Sequence, residues 1–244
     1  MESYRLEGQT FVIDDYDRKP AFSSFLPGLA GVKGIPLWTF YTNRGQGMNS
    51  FGIDNKGNAI MEFNSANTAF ENTQVKGFRT FLKIDGEYYE PFFTYEKEAK
   101  RQMRMNKNSF KIIETNEKYG IEVTVNYYVL PNESIGALVR QVSVKNIGDS
   151  AKEVQVIDGL PKIITYGIAN GEFKEMSNLF KSWADIRNLE NKVPYYTLRA
   201  STKDSAEVSD VEGGYYYLTV RDGKLQDVIS VSYTHLTLPT KLEV

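Results

Sequence analysis

Apolar and polar side chains alternate along much of this chain, and a period of two is typical of strands with one buried face. Every second residue from Ile121 to Val129 is apolar or aromatic, which predicts a half-buried strand. Residues 78–84 alternate similarly, and Asp85-Gly86 behind them predicts a two-residue hairpin turn into residues 87–89. Further strands are predicted at residues 110–114, 137–146, 152–158, 195–201 and 215–220, with turns at 116–120 and 147–150. Short strands joined by tight turns favour an all-β antiparallel sandwich over a parallel α/β sheet.

One segment departs from this period. Its apolar residues recur at helical spacing: Phe173, Met176, Leu179, Phe180, Trp183 and Ile186. The spacing predicts one amphipathic helix of about three to four turns over residues 173–189, lying against a sheet. The chain shows no internal repeat, low-complexity tract or linker, so residues 1–230 are predicted to form a single domain.

The charge balance excludes several classes of partner. The chain carries 29 Lys and Arg against 31 Asp and Glu, a formal net charge of -2, so it lacks the basic surface of a nucleic-acid-binding protein. No apolar run approaches the roughly 20 residues that span a bilayer. The first ten residues also lack the features of a signal peptide, so we expect a cytoplasmic protein that does not enter a membrane. The absence of cysteine excludes disulfides, thiolate catalysis and Cys-ligated zinc.

The last residues of the chain have a different character. Residues 231–240 read VSYTHLTLPT and resemble the translation of an adapter used to build sequencing libraries. We therefore expect residues 231–244 to be a non-native tail and the native sequence to stop near Ser230. The single histidine, His235, lies in this tail. Without it, a Ser-His-Asp triad, a histidine proton shuttle and a histidine-ligated metal are excluded.

The densest group of candidate binding residues lies in residues 35–63. A strand-like run there ends in Asn43-Arg44-Gly45-Gln46-Gly47, and a second strand begins near Asn49. Arg44 and Gln46 are expected to project beside Trp38 and Tyr41, an arrangement that suits a sugar because its hydroxyls need hydrogen-bonding groups and its C–H faces need apolar contact. A hairpin whose polar tip is merely solvated explains the same pattern and remains an open alternative.

Other candidate sites have simpler interpretations. Asp14, Asp15 and Asp17 lack the remaining positions of a calcium-binding EF-hand loop, so we expect solvated carboxylates and no metal. The basic residues 97–104 are interpreted as an exposed linker or edge. Trp183 is a second aromatic candidate for a sugar platform, although its helical spacing also fits a place in the core.

The sequence resembles a known family over nearly all of residues 5–225. The resemblance is carried by IPLWTFYTNRGQGMNSFGIDNKGNAIMEFNSAN from Ile35 and by GFRTFLKIDGEYYEPF from Gly77. FVIDDYDRKPAFSSFLPGLAG, VQVIDGLPKI and FKEMSNLFKSWADIRNLENKVPYYTLRAS extend it. Together these strings are similar to the N-terminal region of glycoside hydrolase family 94, the cellobiose phosphorylase family, and most similar to its 1,2-β-oligoglucan phosphorylase branch.

This resemblance implies the N-terminal domain of a larger enzyme, folded as an antiparallel β supersandwich of the galactose mutarotase-like type. Such enzymes cleave β-glucosides with inorganic phosphate and release α-glucose 1-phosphate with inversion, without a cofactor. Their catalytic Asp lies in an (α/α)6 barrel that this chain does not contain, so no catalytic residue is assigned here. The expected partners are a β-glucan oligosaccharide, inorganic phosphate, the missing catalytic barrel and a second copy of the chain in a homodimer.

The resemblance also bears on the candidate residues. Asn43, Arg44 and Gln46 match the family's NRGQG string and are the substrate-binding candidates, with Trp38 and Trp183 behind them. A stand-alone carbohydrate-binding module is the alternative. A mutarotase is excluded because the related enzymes open the sugar ring with a histidine, and this chain has none outside residues 231–240.

Overall fold

The computed structural model describes residues 3–26, 35–93, 98–202, 206–207 and 209–230. The chain divides into two compact units, Met1–Ile163 and Ile164–Val244. The single domain expected over residues 1–230 stays a prediction. The expected non-native tail, residues 231–244, lies outside the described residues.

The first unit consists mainly of strands. These are β1 (Tyr4–Glu7), β2 (Thr10–Asp14), β3 (Ser23–Leu26), β4 (Leu37–Thr42), β5 (Met48–Ile53), β6 (Ala59–Met61), β7 (Arg79–Ile84), β8 (Glu87–Tyr89), β9 (Lys100–Met105), β10 (Ser109–Asn116), β11 (Ile121–Val129), β12 (Leu138–Asn146) and β13 (Val154–Gly159). One α-helix, α1 (Ala66–Val75), and two short 3-10 helices, Tyr16–Arg18 and Lys56–Asn58, complete its described part.

The strands of this unit form three sheets. A six-stranded sheet has the order β1-β2-β9-β10-β11-β12, a four-stranded sheet the order β3-β4-β5-β6, and a three-stranded sheet the order β13-β7-β8. Every neighbouring pair in these sheets is antiparallel. The predicted all-β, antiparallel character is therefore confirmed.

Two local predictions are confirmed in detail. Along β11 the side chains alternate strictly between buried and half-buried, beginning and ending with the buried residues Ile121 and Val129. The turn between β7 and β8 is the expected two-residue turn, in which Asp85 and Gly86 have φ angles of 48° and 94°. Both residues adopt the positive φ that a type I′ hairpin turn requires.

The strands on either side of the predicted turn at residues 147–150 both exist, but they do not pair with each other. β12 pairs with β11, whereas β13 pairs with β7 in another sheet. The Ile147 amide donates to the Gly120 carbonyl at 2.9 Å, and the Asp85 amide donates to the Glu153 carbonyl at 3.0 Å. The connection therefore leaves the six-stranded sheet at one end and joins the β7–β8 hairpin at the other.

The core of the first unit lies between the six-stranded and four-stranded sheets. The Phe110 ring of β10 stacks between Tyr41 of β4 and Tyr127 of β11, with centroid distances of 4.8 and 5.1 Å. Phe78 continues the cluster 5.9 Å from the Tyr127 ring. Stacked aromatic rings of this size contribute much of the apolar area that a sandwich buries.

The second unit contains an error of the sequence-based fold prediction. Residues 173–189 do not form a single helix, because α2 (Asn170–Glu175) ends before α3 (Ser177–Trp183) begins. At Met176, φ is -105° and ψ is 15°, which interrupts the helical backbone. The following segment, β14 (Ala184–Arg187), is extended and pairs with β15 (Tyr195–Leu198). Strand pairing in the last part of the segment thus prevails over the helical spacing of its apolar residues.

The remaining elements of this unit are short. They are a 3-10 helix at Leu189–Asn191 and the strands β16 (Tyr215–Tyr216), β17 (Val220–Arg221) and β18 (Lys224–Leu225). β14, β15 and β16 form one antiparallel sheet, and β17 pairs with β18. The predicted strands at 195–201 and 215–220 are therefore present, but shorter than expected.

Candidate functional site

The NRGQG sequence forms the tip of the β4–β5 hairpin. Gly45 and Gly47 have φ angles of 48° and 82°, in the region that favours glycine. At Gly47 a Cβ atom would lie 2.1 Å from the ζ-carbon of Phe110, so any other residue would force the Phe110 ring to move. The hairpin tip is therefore packed onto the aromatic core and is not a loose solvated loop.

Asn43 fastens this tip to the segment after β2. Its side chain is fully buried, and its Nδ2 donates to the carbonyl oxygens of Tyr16 and Pro20 at 2.9 and 3.0 Å. Its Oδ1 accepts the Phe22 amide at 2.9 Å. The Tyr16 hydroxyl donates to the Gly45 carbonyl at 2.6 Å, which ties the same segment to the tip a second time. Both polar atoms of the Asn43 side chain thus serve the fold.

Gln46 belongs to a buried polar cluster that joins four strands. Its Nε2 donates to Thr80 Oγ1 at 3.0 Å, and its Oε1 accepts a hydrogen bond from Arg140 Nη2. Arg140 also donates to the Tyr127 hydroxyl at 3.1 Å and forms an ion pair with Asp158. Thr80 Oγ1 donates to Asp158 at 2.6 Å, which closes the cluster. Burial raises the pKa of Tyr127 to about 12, although Arg140 beside it acts in the opposite direction.

The other candidate residues lie apart from this cluster. Arg44 is half-buried and donates to the carbonyl oxygens of Asn43 and Lys19 at 2.8 and 3.2 Å. Trp38 pairs in register with Gly52, away from the hairpin tip, and its ring packs against Phe63 at 5.8 Å. The structure therefore brings Asn43, Arg44 and Gln46 into one loop but does not bring Trp38 to it.

Trp183 ends α3 in the second unit. Its ring packs edge-to-face on Phe180 at 6.1 Å, and 39% of the residue remains exposed. An exposed indole face is compatible with either a packing or a sugar-stacking role. The assignment of Trp183 and of the other four candidates as substrate-binding residues stays a prediction.

A buried charge cluster in the first unit was missed by sequence reasoning. Arg101 and Glu114 face each other across β9 and β10, with Nε to Oε2 at 2.6 Å. Arg101 Nη1 also donates to Asp17 at 2.6 Å, while Glu114 accepts the Phe92 amide at 2.7 Å and the Tyr89 hydroxyl. Burial raises the pKa of Tyr89, and the charge of Glu114 acts in the same direction. Both carboxylate oxygens of Glu114 are engaged within the protein.

This cluster corrects the interpretation of residues 97–104 as an exposed linker or edge. β9 is an interior strand of the six-stranded sheet, between β2 and β10. Its inward-facing positions include the buried residues Arg101 and Met103, whereas Lys100 faces solvent. The apolar residues Ala99, Met103 and Met105 at alternate positions, with Arg101 in the same row, were the signal that could have revealed the strand.

Two of the three acidic residues near the N-terminus, Asp14 and Asp17, have separate partners. Asp14 accepts a hydrogen bond from Gln102 at 2.8 Å and pairs with Arg5, whereas Asp17 pairs with Arg101. Within the part of the chain that the structure describes, no three His, Cys, Asp or Glu side chains form a group that could hold a metal ion. Among the same residues, no helix is long and apolar enough to cross a membrane.

The comparisons with known proteins add no assignment. A scan against models of protein families finds no match to this chain, and a search of curated proteins finds none either. The site is therefore defined by its geometry alone. It is a rigid hairpin tip held by the hydrogen bonds of Asn43 and by the buried polar cluster around Gln46.

Proposed function

We propose that this chain is the N-terminal domain of an inverting glycoside phosphorylase similar to glycoside hydrolase family 94. In this proposal the three sheets of the first unit belong to an antiparallel β supersandwich of the galactose mutarotase-like type. The domain supports a catalytic barrel elsewhere in the parent protein and lies beside its substrate cleft. The observation that carries the proposal is the resemblance of residues 35–63, together with the other strings between residues 5 and 225.

The geometry of the hairpin tip supports a positioning role. The side chains of Asn43 and Gln46 form their hydrogen bonds within the protein, so the hairpin tip is rigid before any ligand binds. A rigid element is suited to shaping one wall of a cleft. The buried Glu114 and the half-buried Asp17 are both paired with Arg101, which supports a structural and not a catalytic role for them.

The parent reaction would be phosphorolysis of a β-glucoside to α-glucose 1-phosphate. A single general acid suffices, because phosphate takes the place of the activated water of an inverting hydrolase. The parent enzyme is proposed to act in the cytoplasm on β-glucan oligosaccharides and inorganic phosphate, without a cofactor and as a homodimer.

The test compares this chain with the product of a longer gene that contains it. We expect the longer protein to release glucose 1-phosphate from sophorose or cellobiose only when phosphate is present. The 244-residue chain should release none. Phosphorolysis by the chain itself, or a longer protein with no phosphate-dependent activity on any β-glucoside, would show the proposal to be wrong.

A further inference from the structure

One side of the first unit is open, where two sheets end in strands that follow each other in the chain. β12 ends the six-stranded sheet and β13 ends the three-stranded sheet, and each pairs with a single strand among the described residues. Residues 147–153 connect the two strands, and the Arg140 side chain of β12 forms an ion pair with Asp158 of β13. The two free strand edges therefore lie on the same side of the unit.

Apolar side chains in this opening are incompletely covered. Val142 of β12 stands opposite the fully buried Val125, yet Val142 and its neighbour in the same row, Val144, are only half-buried. Val156 of β13 stands opposite the buried Leu82 and is 47% exposed. These valines point inward between the sheets, so only a group placed at the strand edges can cover them.

The backbone hydrogen bonds show which residues of β12 face its free edge. At either end of the strand, the Leu130 amide donates to the Ala137 carbonyl and the Ile147 amide to the Gly120 carbonyl, both at 2.9 Å. Hydrogen-bonded positions alternate along an antiparallel ladder, so the odd-numbered residues of β12 bond to β11. The even-numbered residues between 138 and 146 direct their amide and carbonyl groups to the free edge. Another strand is the regular partner for such a row of groups.

β12 itself has the features that this edge requires of a partner. An added strand needs apolar side chains at alternate positions to continue the inner row, and Leu138, Val142 and Val144 provide them. Val142 is the midpoint of β12, so antiparallel pairing with a second copy about this residue joins the whole of both strands. In that register the two charged residues of the strand, Arg140 and Lys145, each stand opposite a valine, so no like charges meet.

We propose that β12 pairs with β12 of a second copy, antiparallel and centred on Val142, in a two-fold dimer that closes this side of the sandwich. The two six-stranded sheets become one continuous sheet, and the β13 edges of both copies come to the same interface, where Val156 is covered. A two-fold interface is closed, so association stops at the dimer. The pairing rests on β12 and β13 alone, whereas its assignment to the homodimer of the parent enzyme rests on the proposed function.

Cysteine cross-linking tests this register, because the chain contains no cysteine of its own. Val139 and Lys145 of different copies stand opposite each other in the proposed pairing, within the Cα separation that a disulfide spans. Two copies of the same residue lie six positions apart along the strand (145 minus 139), which is about 20 Å. A mixture of the Val139→Cys and Lys145→Cys chains in oxidised glutathione should therefore form at least about tenfold more disulfide-linked dimer than either variant alone.

Val142→Pro tests the free edge without disturbing the sheet. The Val142 amide faces the free edge, so a proline there removes none of the hydrogen bonds to β11. Added to both cysteine chains, it should reduce the disulfide-linked fraction about tenfold, because it removes a donor at the centre of the new ladder. Thermal unfolding checks that the proline chains are folded, and if they are not, the mixture of cysteine chains decides the inference.

Three results would overturn the inference. Equal cross-linking by the mixture and by Lys145→Cys alone would indicate parallel or unspecific pairing. No cross-linking in the mixture would refute the second copy and leave the edge to a strand of a different protein. Cross-linking that a folded Val142→Pro chain leaves unchanged would place the contact elsewhere.

The same variants separate this dimer from the proposed function. If the mixture cross-links but the longer protein shows no phosphorolysis, the proposed function is wrong and the dimer stands. If the longer protein shows phosphorolysis but neither it nor the 244-residue chain cross-links through residues 139 and 145, the dimer alone is wrong.

Discussion

Arg101 and Glu114 form the most deeply buried ion pair among the described residues, with side chains 3% and 1% exposed. Each charge also has a second kind of partner: Asp17 forms an ion pair with Arg101, and the Tyr89 hydroxyl and the Phe92 amide donate hydrogen bonds to Glu114. Removing one member of such a pair leaves an uncompensated charge in a medium of low dielectric constant. The pair therefore stabilises the fold only as long as both members are present.

Glu114→Gln should lower the free energy of unfolding by about 3 kcal/mol, because Arg101 keeps its charge and loses its counter-ion. Glu117→Gln is the matched control, since Glu117 pairs with Lys100 of the same strand, β9, but those side chains are 73% and 74% exposed. Removing an exposed pair should cost less than about 1 kcal/mol. Urea-induced unfolding followed by tryptophan fluorescence measures both. Equal losses for the two variants would contradict this account of the buried pair.

Tyr127 makes the free energy of unfolding depend on pH in the alkaline range. Burial raises its pKa from 10 to about 12 in the folded chain, so the folded state keeps a proton that the unfolded state loses above pH 10. The stabilisation is complete below pH 10 and is lost as the pH rises through 12, at up to about 1.4 kcal/mol per pH unit. Tyr127→Phe should flatten the decline of the unfolding free energy between pH 10 and 12. Tyr88→Phe, at a residue that is 80% exposed, should leave the decline unchanged.

At the scale of the element, the β4–β5 hairpin depends on a glycine for two separate reasons. Gly47→Ala must adopt a φ of 82° and must also place a Cβ 2.1 Å from the Phe110 ring. Gly86→Ala in the β7–β8 turn faces only the first problem, because nothing lies within 4 Å of the added Cβ. We expect Gly86→Ala to cost about 1 kcal/mol and Gly47→Ala about 2 kcal/mol more. Thermal unfolding of the two variants should show this difference; a Gly47→Ala chain as stable as the Gly86→Ala chain would disprove the close packing.

Individual strands and helices show which parts of the fold the sequence could predict and which it could not. The β7–β8 hairpin was predictable because Asp85-Gly86 and the flanking alternation act within a few residues. The partner of β13 was not, because β13 pairs with a strand about seventy residues earlier, and its own pattern indicates only that it is a strand. The single helix predicted over residues 173–189 was wrong for a different reason: β14, in the last part of the segment, pairs with the next strand, β15, and this pairing outweighs the helical spacing of its apolar residues.

The sequence predicted where the tip of the β4–β5 hairpin lies, but not what its side chains do. The glycines of NRGQG indicated a hairpin tip, and the structure has one there. The sequence could not show that Asn43 and Gln46 turn inward, because their partners are a distant carbonyl group and the remote residues Thr80 and Arg140. Helix α1, with buried polar residues such as Asn72 and Thr73, lacked the apolar stripe by which helices are recognised.

At the scale of the whole molecule, the six-stranded sheet ends at β12, a nine-residue strand that pairs only with β11 among the described residues. Val142 and Val144 stand opposite the buried residues Val125 and Val123, yet both are only half-buried. A long terminal strand with apolar side chains and unpaired backbone groups is a template for pairing with another chain. The chain should therefore self-associate as its concentration rises, through the outer edge of β12.

Val144→Lys should reduce this association, because a lysine on the inner row of the edge strand must keep its charge in water and would be buried by an added strand. Ser143→Lys is the control: it adds the same charge to the same strand, on the opposite face of the sheet. Sedimentation velocity at increasing concentration should show Val144→Lys as more monomeric than the unchanged chain and Ser143→Lys as nearly equal to it. If both lysines reduce association equally, net charge controls it and the β12 edge does not; if the unchanged chain stays monomeric throughout, the edge is protected in a way that the sheet order does not reveal.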